Sequence, residues 1–118
     1  MRRVNVSSGV PWETTVGYSR LVKLGRQIYV SGTTAMSANG LVGEGDAYAQ
    51  AVQCLRNIEA ALKQVGSGHW DIVRTRIFVI DIERDSEHVG RAHAEALGVV
   101  KPATSMLQVS KLIDSRML

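Results

Sequence analysis

Residues 71–82, DIVRTRIFVIDI, are crowded with β-branched side chains and lie between two stretches whose apolar residues recur at helical spacing. Such a run reads as a strand, and a strand set between amphipathic helices needs a sheet for the helices to cover. On the N-terminal side, Asp46 is placed as an N-cap ahead of Ala51, Leu55, Ile58, Leu62 and Val65, and Gly66 ends the repeat. On the C-terminal side, Asp85 reads as the cap of a second helix running to about Leu97, before Gly98. The segment KPATSMLQVS at 101–110 is a proline followed by alternation, which predicts another strand. Thr104, Met106 and Gln108 share one of its faces, with no charge on it, and Ser105, Leu107 and Val109 share the other.

The first third of the chain reads as strands. Arg3–Val6 is a short candidate, and 19–23 and 27–31 flank a Leu-Gly-Arg turn in which Gly25 supplies the positive φ of a tight connection. The stretch 32–45, GTTAMSANGLVGEG, holds four glycines and reads as a long loop. A loop of that length is expected to border a functional site and to be among the less ordered parts. The order is therefore strand, hairpin, helix, strand, helix, strand, with no linker or repeat, which predicts one α+β domain over 1–118.

Composition narrows the functional classes. The 118 residues carry +3 at neutral pH with a pI near 9.4, but the charges are scattered and not gathered into a basic run. Aromatic residues make up 5%, too few for a nucleic-acid face built on stacked rings. Cys54 is the single cysteine, so no disulfide forms within the chain, and a reducing cytoplasm is the expected setting. MRRVNVSSG at the start leads into no apolar core of a signal peptide, and no stretch is long and apolar enough to span a membrane.

His88 and His93 lie five apart on the second helix, roughly 140° from a shared face, which makes a poor metal pair. Cys54 sits in the middle of the first helix with no His on its face and reads as a structural thiol. For Arg74 and Arg76, alternate residues on one strand face, ion pairing at a surface or subunit contact outweighs substrate binding. There is no GxGxxG, P-loop or GxSxG, so neither a nucleotide cofactor nor an acyl-enzyme triad has local support, and no cofactor or metal is expected. Ser31 closes a strand and Gly32 opens the glycine-rich loop, where backbone amides and a hydroxyl can receive an oxyanion. Local sequence leaves that reading level with an ordinary strand exit.

Taken in order, GYS at 17–19, LGRQIYVSG at 24–32, QAVQCLRNI at 50–58, DIVRTRIFVIDI at 71–82, AH at 92–93 and PATS at 102–105 resemble the Rid or YjgF family of reactive-intermediate deaminases. The resemblance covers nearly the whole chain. It implies an α+β fold of the chorismate-mutase-like kind, a mixed sheet with two helices on one face. It also implies a homotrimer whose sheets close a central barrel, with a small-molecule pocket in each interface. Family members hydrolyse 2-imino and 2-aminoacrylate-type acids to 2-keto acids.

By this resemblance Tyr18 matches the pocket tyrosine, and Ser31 and Gly32 match the hydroxyl and backbone amide of the pocket wall. Thr104 stands where the active deaminases carry the arginine that grips the substrate carboxylate. Met106 stands at a position often held by cysteine, and Gln108 at one often held by glutamate. A further glutamate on the family's last strand positions water. The sequence ends at Leu118, about where that strand begins, with no Glu after Glu95, so either the chain is shortened or that group is missing. Losing a bidentate charged contact costs on the order of 2–5 kcal/mol in carboxylate binding. The expectation is an interface pocket of Tyr18, Ser31, Gly32, Thr104 and Met106 for a small carboxylate or polar metabolite, with weak standard deamination and no catalytic residue assigned. Three classes stay open: an altered hydrolase, a non-catalytic binding or regulatory module and, last, an endoribonuclease.

Overall fold

A computed structural model describes all 118 residues. Strands β1 (Arg3–Val6), β2 (Leu21–Leu24) and β3 (Gln27–Val30) form an antiparallel sheet in that order. Leu24 pairs with Gln27, leaving Gly25 and Arg26 as a two-residue turn. Gly25 takes φ +62°, the left-handed value the first position of such a turn requires. Segment 32–45 is not a plain loop: β4 (Met36–Ser37) and β5 (Gly40–Leu41) make a small hairpin within it. Asn57 Nδ2 also donates to the carbonyls of Thr34 and Met36 at 3.0 and 2.8 Å, and Ala35 is buried. The segment is pinned to the helix beneath it.

Helix α1 (Ala47–Lys63) starts where expected, with the Asp46 carboxylate accepting from Ala49 N at 3.0 Å. The long strand expected over 71–82 is shorter. A 3₁₀ turn occupies His69–Asp71, with the Asp71 carboxylate holding Ser67 Oγ at 2.7 Å, and strand β6 is Arg74–Val79. Helix α2 (Ile82–Leu97) is capped by Asp81 and not by Asp85. Asp81 accepts from Arg84 N at 3.0 Å, while Asp85 lies buried in the first turn and binds the Arg84 guanidinium through both oxygens. Strand β7 (Ala103–Gln108) runs parallel to β6, with Thr75 beside Thr104 and Ile77 beside Met106.

Antiparallel β1–β3 and parallel β6–β7 give the mixed topology, although no ladder joins the two sheets within one chain. Both are covered on one side by the helices. Val6 and Leu21 pack under Ala61 and Leu62 of α1, with Val4, Ile28 and Val30 around them. Ala47, Val79 and Val89 form a second cluster that takes in Ile77 and Met106. On the opposite side, Tyr29, Phe78 and Leu107 are 61%, 48% and 46% exposed. Burial of a few Leu, Val and Ala side chains under two helices is a modest core, and half of each sheet is uncovered.

Candidate functional site

Tyr18 is delivered by a single π-type turn over Glu13–Gly17, closed by Tyr18 N donating to Glu13 O at 2.9 Å. Gly17 leaves the turn at φ +88°, and Tyr18 resumes extended backbone. The turn is anchored by Glu13, which is buried and accepts from the amide and the hydroxyl of Ser8. Burial pushes the Glu13 carboxyl up, but hydrogen bonds from Ser8 and Ser7 and the nearby charge of Arg20 outweigh it and leave the group below the ordinary glutamate value. A carboxylate so engaged anchors the turn and is a poor base.

Across the hairpin, Ser31 N donates to Arg20 O at 3.0 Å and Ser31 Oγ donates to Ser19 O at 2.5 Å. The Ser31 hydroxyl thus holds the strand ends together and retains only acceptor capacity. Gly32 is exposed, and its amide has no acceptor within the chain. Arg20, which the sequence reading passed over, bridges these groups. Its Nη2 donates to Gly32 O at 2.6 Å, and its guanidinium carbon lies 5.9 Å from the centre of the Tyr18 ring. Arg20 Nε is buried without a hydrogen-bond partner. The arithmetic of the Gly25–Arg26 turn was the available signal: it sets residue 20 opposite residue 31.

Thr104 and Met106 lie elsewhere, on β7. Met106 packs among apolar residues under the helices, so its side chain is part of a core cluster. Thr104 is exposed, and its hydroxyl lies 2.8 Å from Thr75 Oγ1 and 3.0 Å from Pro102 O. Gln108 accepts from Ile82 N at 3.0 Å, tying β7 to the start of α2. One chain therefore brings Tyr18, Ser31 and Gly32 together at the end of β2–β3 and leaves Thr104 and Met106 in the other sheet.

Two hollows of the chain lie apart from all of these. One of about 270 Å³ runs between α1 and α2, past Tyr48, Arg56, His69 and Glu95. Another, of about 620 Å³, lies beside Asp46, Arg84, His88 and Arg91. Several of their charged groups are engaged: Arg84 holds Asp85, Tyr48 donates to Glu95, and Arg91 stacks 4.1 Å from the Tyr48 ring. No group of three His, Cys, Asp or Glu side chains is arranged to hold a metal ion, and no helix is long and apolar enough to cross a membrane. Burial pushes the Cys54 thiol up to about 11, which leaves it protonated and unreactive at neutral pH. Arg74 and Arg76, read as ion-pairing residues, form no salt bridge within the chain.

Comparison with known proteins places this arrangement in a family. The endoribonuclease L-PSP family model matches residues 10–118. An uncharacterized Streptomyces coelicolor protein, SCO2049, is 41% identical over 113 residues, covering 96% of this chain and 84% of that protein. The human 2-iminobutanoate/2-iminopropanoate deaminase is 30% identical over 96 residues, covering 80% of this chain and 69% of the human protein. The crystal structure of Rv2704 from Mycobacterium tuberculosis, described as a YjgF/YER057c/UK114 family member, superposes with a TM-score of 0.88 at 46% identity, covering 99% of this chain and 92% of that one. With the α+β fold and these matches in agreement, the chain belongs to the endoribonuclease L-PSP family, which is the Rid/YjgF family.

Proposed function

We propose that the protein acts as a homotrimer with a pocket at each subunit interface that receives a small 2-oxo or 2-imino carboxylate. The observation that carries this reading is the division of the candidate residues. Tyr18, Ser31 and Gly32 line one sheet end, while Thr104 and Met106 belong to a second sheet not hydrogen-bonded to the first. A site completed by another copy of the chain fits that division, and the uncovered sheet faces with Tyr29, Phe78 and Leu107 supply a surface for it. The name of the human relative supports the substrate class.

With Thr104 in place of an arginine and Glu13 engaged by Ser8, hydrolysis of standard imino acids is slow in this reading, and binding is the stronger property. The engaged state of Glu13 also favours a second reading, a sensor or carrier of such acids without turnover. A ribonuclease role ranks below both, because Arg74 and Arg76 share their strand with one ring, Phe78, and form no basic stripe with interleaved aromatics.

Sedimentation, calorimetry with 2-oxobutyrate and an assay of 2-iminobutanoate hydrolysis test the reading together. A trimer that binds the keto acid and hydrolyses the imine slowly is expected. A stable monomer, or a trimer indifferent to 2-oxobutyrate, contradicts it. Rapid hydrolysis would show that no arginine at position 104 is needed.

A further inference from the structure

The end of the β2–β3 hairpin presents three donors without a protein acceptor for them: the Gly32 amide, the Tyr18 hydroxyl and most of the Arg20 guanidinium. Of five N–H groups on Arg20, one is given to Gly32 O. No carboxylate lies within ion-pairing distance of it, and the nearby Glu13 is spent on Ser8. A Cβ placed on Gly32 would meet nothing within 4 Å, so a ligand can approach this peptide closely. Unpaired donors beside open space at Gly32, with a fixed cation among them, are the chemistry of a carboxylate site.

Thr104 cannot substitute for that cation. Its single hydrogen is directed to Pro102 O or to Thr75, so it offers a carboxylate no donor. Several other cations are engaged or lie on other faces. Arg84 and Arg116 hold Asp85 and Asp114, and Lys23 reaches Val65 O under the sheet. Arg74 and Arg76 alternate with Thr75 on β6 and so occupy the face away from Thr104.

We infer that Arg20 is the carboxylate-binding cation of this site: the guanidinium that holds Gly32 O also receives the carboxylate of a small 2-oxo or 2-imino acid, beside the Gly32 amide and the Tyr18 hydroxyl. The inference rests on the proposed reading of Tyr18, Ser31 and Gly32 as the pocket wall. It replaces a cation reaching in from β7 with one already docked on the hairpin, where its hydrogen bond to Gly32 O fixes its orientation before ligand arrives.

The test is calorimetry on the assembled protein with 2-oxobutyrate and its uncharged analogue 2-oxobutanamide. Arg20→Gln is expected to weaken 2-oxobutyrate about 10- to 100-fold while leaving the amide nearly unchanged. Lys63→Gln, at the exposed end of α1, should leave both unchanged. If the parent binds 2-oxobutyrate and a folded Arg20→Gln protein binds it equally well, Arg20 is not the cation and the pocket reading stands. If the parent binds none, the pocket reading itself fails. Should Arg20→Gln not fold, the Arg20 Nε–H resonance of the labelled parent decides. A shift with 2-oxobutyrate but not with 2-oxobutanamide supports the inference, and no shift at saturation overturns it.

Discussion

The Thr104 hydroxyl lies 2.8 Å from that of Thr75, its register partner on β6, and Thr75 Oγ1 lies 2.9 Å from His93 Nε2 on α2. Each hydroxyl has one hydrogen, so the chain can run in only two directions. Either His93 donates to Thr75, Thr75 to Thr104 and Thr104 to Pro102 O, or Thr104 donates to Thr75 and Thr75 to His93. In both, the hydrogen of Thr104 stays inside the chain. Thr104 therefore braces two strands and a helix.

Thr104→Val should accordingly alter stability more than binding. Loss of the Thr75 hydrogen bond at an exposed strand position costs about 0.5–1.5 kcal/mol, measured as a lower urea midpoint. Affinity for 2-oxobutyrate should change less than about threefold. A loss of tenfold or more in a folded trimer would show that the hydroxyl contacts the ligand after all.

Phe78 and Leu107 are adjacent in the β6–β7 register and both half-exposed on the face away from the helices. In the proposed trimer, Phe78→Glu should place a charge against the matching face of another copy and yield monomers, as read by sedimentation. Trp70→Glu is the control. Trp70 is 74% exposed, but it lies in the 3₁₀ turn and not on the sheet face, so the oligomer should persist. Dissociation by Trp70→Glu, with Phe78→Glu without effect, would place the interface elsewhere.

The helices, the hairpin and the last strand were legible because period and turn chemistry act locally. Gly25 and Asp46 each occupy the position their residue type favours. The boundary between β6 and α2 was not legible, because Ile80, Asp81 and Ile82 continue a β-branched run while Asp81 turns its carboxylate to the amide of Arg84. Asp85, the residue that looked like the cap, is consumed by Arg84. The π-type turn before Tyr18 is one turn long and has no period to detect. Family likeness directed attention to position 104, whereas the contact of Arg20 with Gly32 O is set by side-chain reach across the hairpin.

Two groups set successive losses of stability on the acid side of the pH scale. Burial holds His93 below the ordinary histidine value, so the unfolded chain binds its proton more readily than the folded one. That contribution is complete above about pH 6.5 and declines as pH falls below it. Glu13, held below the ordinary glutamate value, begins to contribute its own loss only below about pH 4.5. Urea midpoints should therefore fall in two stages from pH 7 to 3. His93→Gln, which can still donate to Thr75, should flatten the first stage and leave the second. An unchanged first stage would assign it to another group.

Asn57 carries the last prediction, because one side-chain amide holds the segment that follows Gly32. Its Nδ2 donates to Thr34 O and Met36 O, and its Oδ1 accepts from Gln53 Nε2 at 2.8 Å. Asn57→Asp keeps the shape but turns an oxygen toward two carbonyls, removing both donors and adding repulsion, at a cost of about 2–4 kcal/mol. The rest of the hairpin is held by the short β4–β5 ladder and by Val42 N on Ala35 O, so the segment should loosen without the domain unfolding. Amide exchange over 33–42 should quicken, and 2-oxobutyrate should bind more weakly, since Thr33 Oγ1 anchors to Ser31 O and movement there displaces the Gly32 amide. Quicker exchange with unchanged affinity would separate the hairpin from the pocket, and unchanged exchange would show that Asn57 does not hold it.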